Sequence, residues 1–179
     1  MSAKELQEKL FMKPKNGYLR MDESEIEKVN SFCEDYKNYL NAGKTEREAC
    51  LLAIKIAEEN GFVPFDKNVS YKAGDRVYYN NRDKAVIFCV FGKKSVAEGV
   101  KIAAAHIDSP RIDLKPNPLY EENELALFKT HYYGGIKKYQ WTTVPLALHG
   151  VFCKKDGTTV EVSIGEEESE PCFFVTDLL

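Results

Sequence analysis

The sequence has no surplus of positive charge: 25 Lys+Arg stand against 28 Asp+Glu, a formal charge of −3 over 179 residues. Nothing is left over to neutralise a run of phosphates, and nucleic acid is not an expected partner. Long apolar runs are missing too. The longest, Ala85 to Phe91, falls far short of the roughly 20 residues that cross a bilayer, so no membrane span is expected. The start, Met1 to Glu8, mixes charges and lacks the apolar stretch of a secretory signal, which predicts an intracellular, cytoplasmic protein. The five cysteines (Cys33, Cys50, Cys89, Cys153, Cys172) form no C-x-x-C pair and no metal-finger spacing. They read as reduced thiols packed as small hydrophobes. Internal repeats and low-complexity tracts are absent. What remains, 44% hydrophobic and 30% charged, is the composition of a globular chain whose length allows one domain, any second module being small or incomplete.

Two helices stand out. From Asp22, the residues Ile26, Val29, Phe32, Cys33, Tyr36, Tyr39 and Leu40 recur at spacings of three and four, an amphipathic stripe opened by the Asp22/Glu25 capping box and closed at Gly43. A second capping box, Thr45 with Glu48, opens a helix through Ala57 that ends at Gly61. After Pro64 the period changes to that of strands: Asp75 to Asn80, Lys84 to Phe91 across an Asn80–Asp83 turn, and Val100 to Ala105. The last two are nearly continuous apolar runs, which predicts cover on both faces and an α/β layered core. Past Pro116 and Pro118 the chain turns β-rich. Leu125–Tyr133, Val144–Lys155 and Thr158–Ile164 read as strands, the last two joined by an Asp156-Gly157 hairpin turn. The acidic run Glu166–Glu170 reads as a solvated loop. The end, Cys172 to Leu179, is an apolar strand-like run with no cap, which predicts truncation or a partner for an unpaired edge.

Only three histidines exist: His106, His131 and His149. His106 directly follows the expected strand Val100–Ala105, and ligands of open α/β sheets gather beyond the carboxyl ends of strands. In extended backbone His106 and Asp108 project to the same side. There an imidazole nitrogen can ligate a metal while the carboxylate ligates or orients. By spacing alone His-x-Asp is a weak pattern, and a strand-end histidine beside an ordinary loop aspartate is the competing reading. Ser109-Pro110 is expected to break the strand and bend the chain away. His131 and His149 read as strand histidines. Ser109 has no nucleophile elbow around it. Gly134-Gly135 and Gly92-Lys93-Lys94-Ser95 lack phosphate-loop spacing.

The run Lys101-Ile102-Ala103-Ala104-Ala105-His106-Ile107-Asp108-Ser109-Pro110, continuing through Leu114-Lys115-Pro116-Asn117-Pro118, closely resembles the signature of the M18 aminopeptidases, the aspartyl aminopeptidase family of dinuclear metallopeptidases. Ser70-Tyr71-Lys72 with Gly74 and Asn81 upstream, and Tyr133-Gly134-Gly135 downstream, are similar to further stretches of that family. The resemblance implies an α/β fold: residues 1–116 as the N-terminal part of a zinc-peptidase (phosphorylase/hydrolase-like) catalytic domain with helices on a mixed sheet, and 117–179 as the first part of an inserted β-rich dimerisation domain. It implies removal of N-terminal residues, acidic in the best-known members, from peptide substrates by a water activated between two zinc ions, with cobalt or manganese as alternatives. It also implies homo-oligomers, dimer-based and assembled as a tetrahedral dodecamer. Carried over, His106 is a metal ligand and Asp108 the catalytic carboxylate that orients the site. Where the family usually continues into a tryptophan-rich run, Ile136 to Gly150 keeps only the outline, as in a divergent branch.

In the family the bridging aspartate, the Glu-Glu pair with the general base and the remaining ligands come later than Leu179. A catalytic zinc needs about three protein ligands, and a two-metal site also needs a bridge and a base. The expectation is therefore a chain inactive by itself that works with a complementary C-terminal polypeptide, whether through a split gene, a nick or a shortened chain. The alternative is a non-catalytic assembly fragment of a peptidase-like protein.

Overall fold

Capping boxes open three helices. Ser2 and Glu5 exchange hydrogen bonds at the head of α1 (Ala3–Leu10), a helix the sequence reading passed over. Asp22 and Glu25 do the same for α2 (Glu23–Ala42), and Thr45 with Glu48 for α3 (Glu46–Glu59). Each box satisfies amide donors that a first helical turn leaves open. At the other end of α3, Gly61 takes a φ of +81°. Gly61 N–H donates to Glu58 O at 2.9 Å and Phe62 N–H to Ala57 O at 3.0 Å, the paired bonds of a Schellman stop. The computed structural model describes residues 2–142 and 144–176. It divides into two units, residues up to Asn41 and from Ala42 onward. The first holds α1, a short 3-10 turn (Gly17–Arg20) and most of α2.

In the second unit α3 lies on a three-stranded mixed sheet of β1 (Val63–Pro64), β2 (Arg76–Asn81) and β3 (Ala85–Val90). β1 runs parallel to β2, and β2 antiparallel to β3. The β2–β3 turn has Arg82 and Asp83 at φ of +61° and +57°, the conformation that matches a hairpin's twist. The core is small: Cys50, Ile54 and Tyr78 are buried, with Phe62, Val86 and Ile107 packed against them. The Tyr78 hydroxyl donates to Glu58 Oε1 at 2.6 Å, so the one polar group of that cluster is satisfied.

Two hairpins follow. β4 (Arg111–Glu122) pairs with β5 (Leu125–Tyr133) through a tight turn at Asn123 and Glu124, and β6 (Leu148–Cys153) pairs with β7 (Thr159–Ile164). Between them lies a four-residue helix, α4 (Lys138–Trp141). An isolated bridge joins Leu146 to Phe173. Leu119, Leu127, Phe128, Leu146, Phe173 and Phe174 line a trough of about 800 Å³ between the β4–β5 hairpin and this return segment.

The structure corrects several expectations. Residues 100–105 form no strand: an apolar run becomes one only beside a partner, and among the described residues none pairs with it. Val100 and Ile102 are exposed. β3 is exposed along most of its length rather than covered on both faces. The β-rich part begins earlier than expected, with Pro116 and Pro118 inside β4. The β4–β5 ladder shifts register between Leu114 and Leu119, and this bulge keeps both prolines, which have no N–H to donate, out of the pairing. Ser109-Pro110 does not turn the chain out of a strand, because β4 begins directly after it. The expected strand Val144–Lys155 shortens to β6. Only Cys50 of the five cysteines is buried. Of the strand-like end, residues 177–179 lie outside the described residues.

Candidate metal centre

His106 and Asp108 flank Ile107, and Ile107 packs on the core cluster of Cys50, Ile54 and Tyr78. Anchoring the middle residue turns its neighbours to the other side, as the period-two argument requires. The His106 ring is largely exposed, and its Nδ1 lies 2.9 Å from Asp108 O and 3.2 Å from Asp108 Oδ1. Both are acceptors, so Nδ1 carries the proton that reaches them, and in the neutral ring Nε2 is the nitrogen that can ligate. A carboxylate behind the imidazole is the usual support of a metal-binding histidine, since it fixes the tautomer and raises the ligand's basicity.

Asp108 is itself held. Its Oδ2 accepts the Tyr133 hydroxyl at 2.8 Å. This hydrogen bond, more than the neighbouring His106, holds the Asp108 carboxyl below the usual carboxylate range, and the same contact pushes the Tyr133 phenol up. Tyr133 is fixed in turn by Arg111, whose guanidinium lies 4.0 Å from the ring centroid. Arg111 Nε donates to Asp113 Oδ1 at 2.7 Å, and an Arg111 terminal nitrogen lies 2.9 Å from Glu46 Oε1. The arginine thus ties the first turn of α3 to β4 and presents a flat cation beneath the phenol. Gly134 follows at φ +75°, with Pro110 3.5 Å from where a Cβ would stand. A Cβ there would meet Pro110 at ordinary contact distance, so it is the left-handed backbone that favours glycine.

The sequence pair is therefore brought together, while the other two histidines stand elsewhere. His131 stacks on Tyr132 in β5. His149 lies in β6 between Glu48 and Glu166. The sequence reading missed Tyr133 as a support of Asp108, having marked Tyr133-Gly134-Gly135 only as a family motif. Arg111, inside the family signature run, was given no role. Among the described residues no group of three His, Cys, Asp or Glu side chains could hold a metal ion. The donor set fits one zinc ligand with its orienting carboxylate, and is short of the three or four protein ligands a complete site uses.

Residues 39–179 match the family model described as Aminopeptidase I zinc metalloprotease (M18). A probable M18 family aminopeptidase 1 from Clostridium acetobutylicum is 48% identical over 174 residues, covering 95% of this chain and 37% of that protein. Its counterpart from Thermotoga maritima is 44% identical over 154 residues, covering 86% of this chain and 34% of that protein. The crystal structure of aminopeptidase I from Borrelia burgdorferi superposes with a TM-score of 0.86 at 40% identity, over 92% of this chain and 41% of that one. The chain thus spans well under half the length of the relatives it matches.

Proposed function

Because this chain belongs to the M18 family of aminopeptidase zinc metalloproteases, we propose that it supplies the N-terminal portion of an aminopeptidase that removes N-terminal residues, acidic ones among them, from peptides at a dinuclear zinc site. The supporting observation is the His106–Asp108 pair, with Nδ1 occupied by the carboxylate and Nε2 left to bind. Zinc, when bound, supplies a water acidic enough to react near neutral pH and a Lewis acid for the scissile carbonyl. His106 would be a ligand, and Asp108 would hold that ligand's proton and orientation through Nδ1. Tyr133 keeps the Asp108 carboxylate ionised and aimed by donating to its outer oxygen, and Arg111 keeps the phenol in place. Ile107 resists displacement of the loop because moving it uncovers the core cluster.

One imidazole and one carboxylate do not make a two-metal site, so these residues by themselves would be inactive, and the remaining ligands would come from the portion of the relatives that this chain does not cover. The family resemblance adds a homo-oligomer built from dimers, a tetrahedral dodecamer, with residues 1–116 belonging to the catalytic domain and 117–179 opening the β-rich dimerisation domain. The apolar trough beside β4–β5 and the exposed face of β3 favour a second reading, a non-catalytic assembly fragment. The two separate by assay. The chain is purified with and without a polypeptide matching the remainder of its relatives, and bound zinc and release of N-terminal residues are measured together. Zinc-dependent release only in the mixture supports the enzyme reading. Association without zinc uptake supports the assembly reading.

A further inference from the structure

Outside the metal centre, one histidine is bonded through both ring nitrogens. His149 Nδ1 lies 2.8 Å from Glu48 Oε1, and Nε2 lies 2.7 Å from Glu166 Oε1. We propose that His149 is a proton-operated latch that holds the loop after β7, residues 165–170, beside the start of α3, and that loss of one ring proton releases the Glu166 arm.

Ionised carboxylates only accept, so two carboxylates on one imidazole require two N–H groups, which only the imidazolium has. The side chain is 12% exposed, and little water can substitute for either bond. Burial pushes the ring's pKa down, but the hydrogen bonds to Glu48 and Glu166 and their charges outweigh it and raise it above the ordinary 6.5. Glu48 responds the other way: burial raises its pKa, while the bond from His149 and the capping box bring it below the usual range.

The two arms are not equivalent. Glu48 Oε2 accepts Thr45 N–H at 2.8 Å, so Glu48 cannot swing away without uncapping α3. Glu166 has a second cation nearby, Lys44 Nζ at 3.9 Å from its Oε2. A neutral ring has one N–H to give and keeps it for Glu48. The charged groups that act on the ring are Glu48 at the head of α3 and Glu166 after β7; Lys44 lies against Glu166, Glu170 caps amides of the same loop, and the register partner on β7, Ser163, is uncharged. Lys44 meets Glu166 in the engaged arrangement, so this ion pair helps to keep the loop at the head of α3, while the Lys44 charge opposes that of the imidazolium.

The loop held this way leads directly to the wall of the apolar trough. Gly165 passes within 3.2 Å, measured from an added Cβ, of Ala147 Cα and Pro171 O, and Phe173 bridges to Leu146 shortly after. The sign follows from the two shifts. The latch is fully engaged below the ordinary histidine pKa and above the depressed value of Glu48, and it opens as the pH rises through the raised value of His149.

The test is residue-resolved exchange of histidine C2 hydrogens in the purified protein by mass spectrometry, with amide exchange of peptides spanning 165–170 and 45–50 across the same pH series after correction for intrinsic rates. Because Glu170 Oε2 also accepts from the amides of Gly165, Glu166 and Glu167, the expected result is a His149 midpoint above that of free histidine, with protection of 165–170 reduced through it while 45–50 stays protected. Glu166→Gln should lower the midpoint by about one pH unit. The wild-type series is decisive even if that variant folds poorly. A midpoint at or below that of free histidine, or protection of 165–170 that does not follow it, overturns the proposal.

Discussion

The Tyr133 hydroxyl reaches back along the chain to donate a 2.8 Å hydrogen bond to Asp108 Oδ2. The contact depends on the β4–β5 register, in which Tyr133 stands opposite Arg111, three residues after Asp108. A residue of the β-rich half thereby sets the carboxylate that sets the candidate zinc ligand.

Replacing Tyr133 by Phe removes the leading cause of the low Asp108 pKa. The carboxyl should then titrate closer to the ordinary aspartate range. A depressed carboxylate pKa stabilises above its ordinary value and loses that contribution as the pH falls through the depressed one, so the variant should lose its advantage in acid sooner. In the zinc-loaded protein, Tyr133→Phe should weaken zinc about tenfold, as loss of a supporting hydrogen bond does. Competition with a zinc chelator measures it, and unchanged affinity would count against the role given to Tyr133.

Ile54 and Ile107 belong to one small cluster but should behave differently. Ile54 is 8% exposed, and Ile54→Ala should cost about 2–4 kcal/mol in denaturant unfolding. Ile107 is half-buried, and Ile107→Ala should cost less stability yet weaken zinc binding, because it frees the loop between His106 and Asp108. Parallel denaturation and zinc titrations separate the two effects.

Two glycines provide a paired test of backbone strain. Gly157 and Gly165 both have positive φ, +86° and +99°. An alanine Cβ at 157 meets open space, whereas at 165 it falls 3.2 Å from Ala147 Cα and Pro171 O. Gly157→Ala should cost about 1–2 kcal/mol for the left-handed backbone. Gly165→Ala should cost more, since backbone atoms must also move. Equal costs would mean that the return loop is looser than its geometry.

Sequence made the helices α2 and α3 and two of the three hairpin turns among the described residues legible, because their signals are local: Thr45 finds Glu48 three residues on, and Asp156-Gly157 lies at a turn whatever surrounds it. Strand β4 was not read from the sequence, where Pro116 and Pro118 marked only the change to a β-rich stretch; the bulge between Leu114 and Leu119 shows how a ladder passes them. Residues 100–105 misled in the opposite sense. An apolar run states a demand for cover without stating that a neighbouring strand meets it. The pairing of His106 with Asp108 was readable from a spacing of two. The contributions of Tyr133 and Glu46 were not, since each reaches the site through tertiary register that no short motif encodes. His149 was read as a strand histidine and lies in β6, but spacing could not reveal that both of its partners are carboxylates.

The central claim, that this chain carries one zinc ligand and its orienting carboxylate but not a whole site, is tested most directly by counting zinc and assaying aminopeptidase release on the same samples. The samples are the chain alone, the chain with its complementary polypeptide, and the same mixture carrying His106→Ala. The account expects no activity from the chain alone, about two zinc ions per completed site with activity in the mixture, and loss of both metal and activity with His106→Ala. Activity from the chain alone, or a His106→Ala mixture that keeps its full zinc and rate, would contradict it.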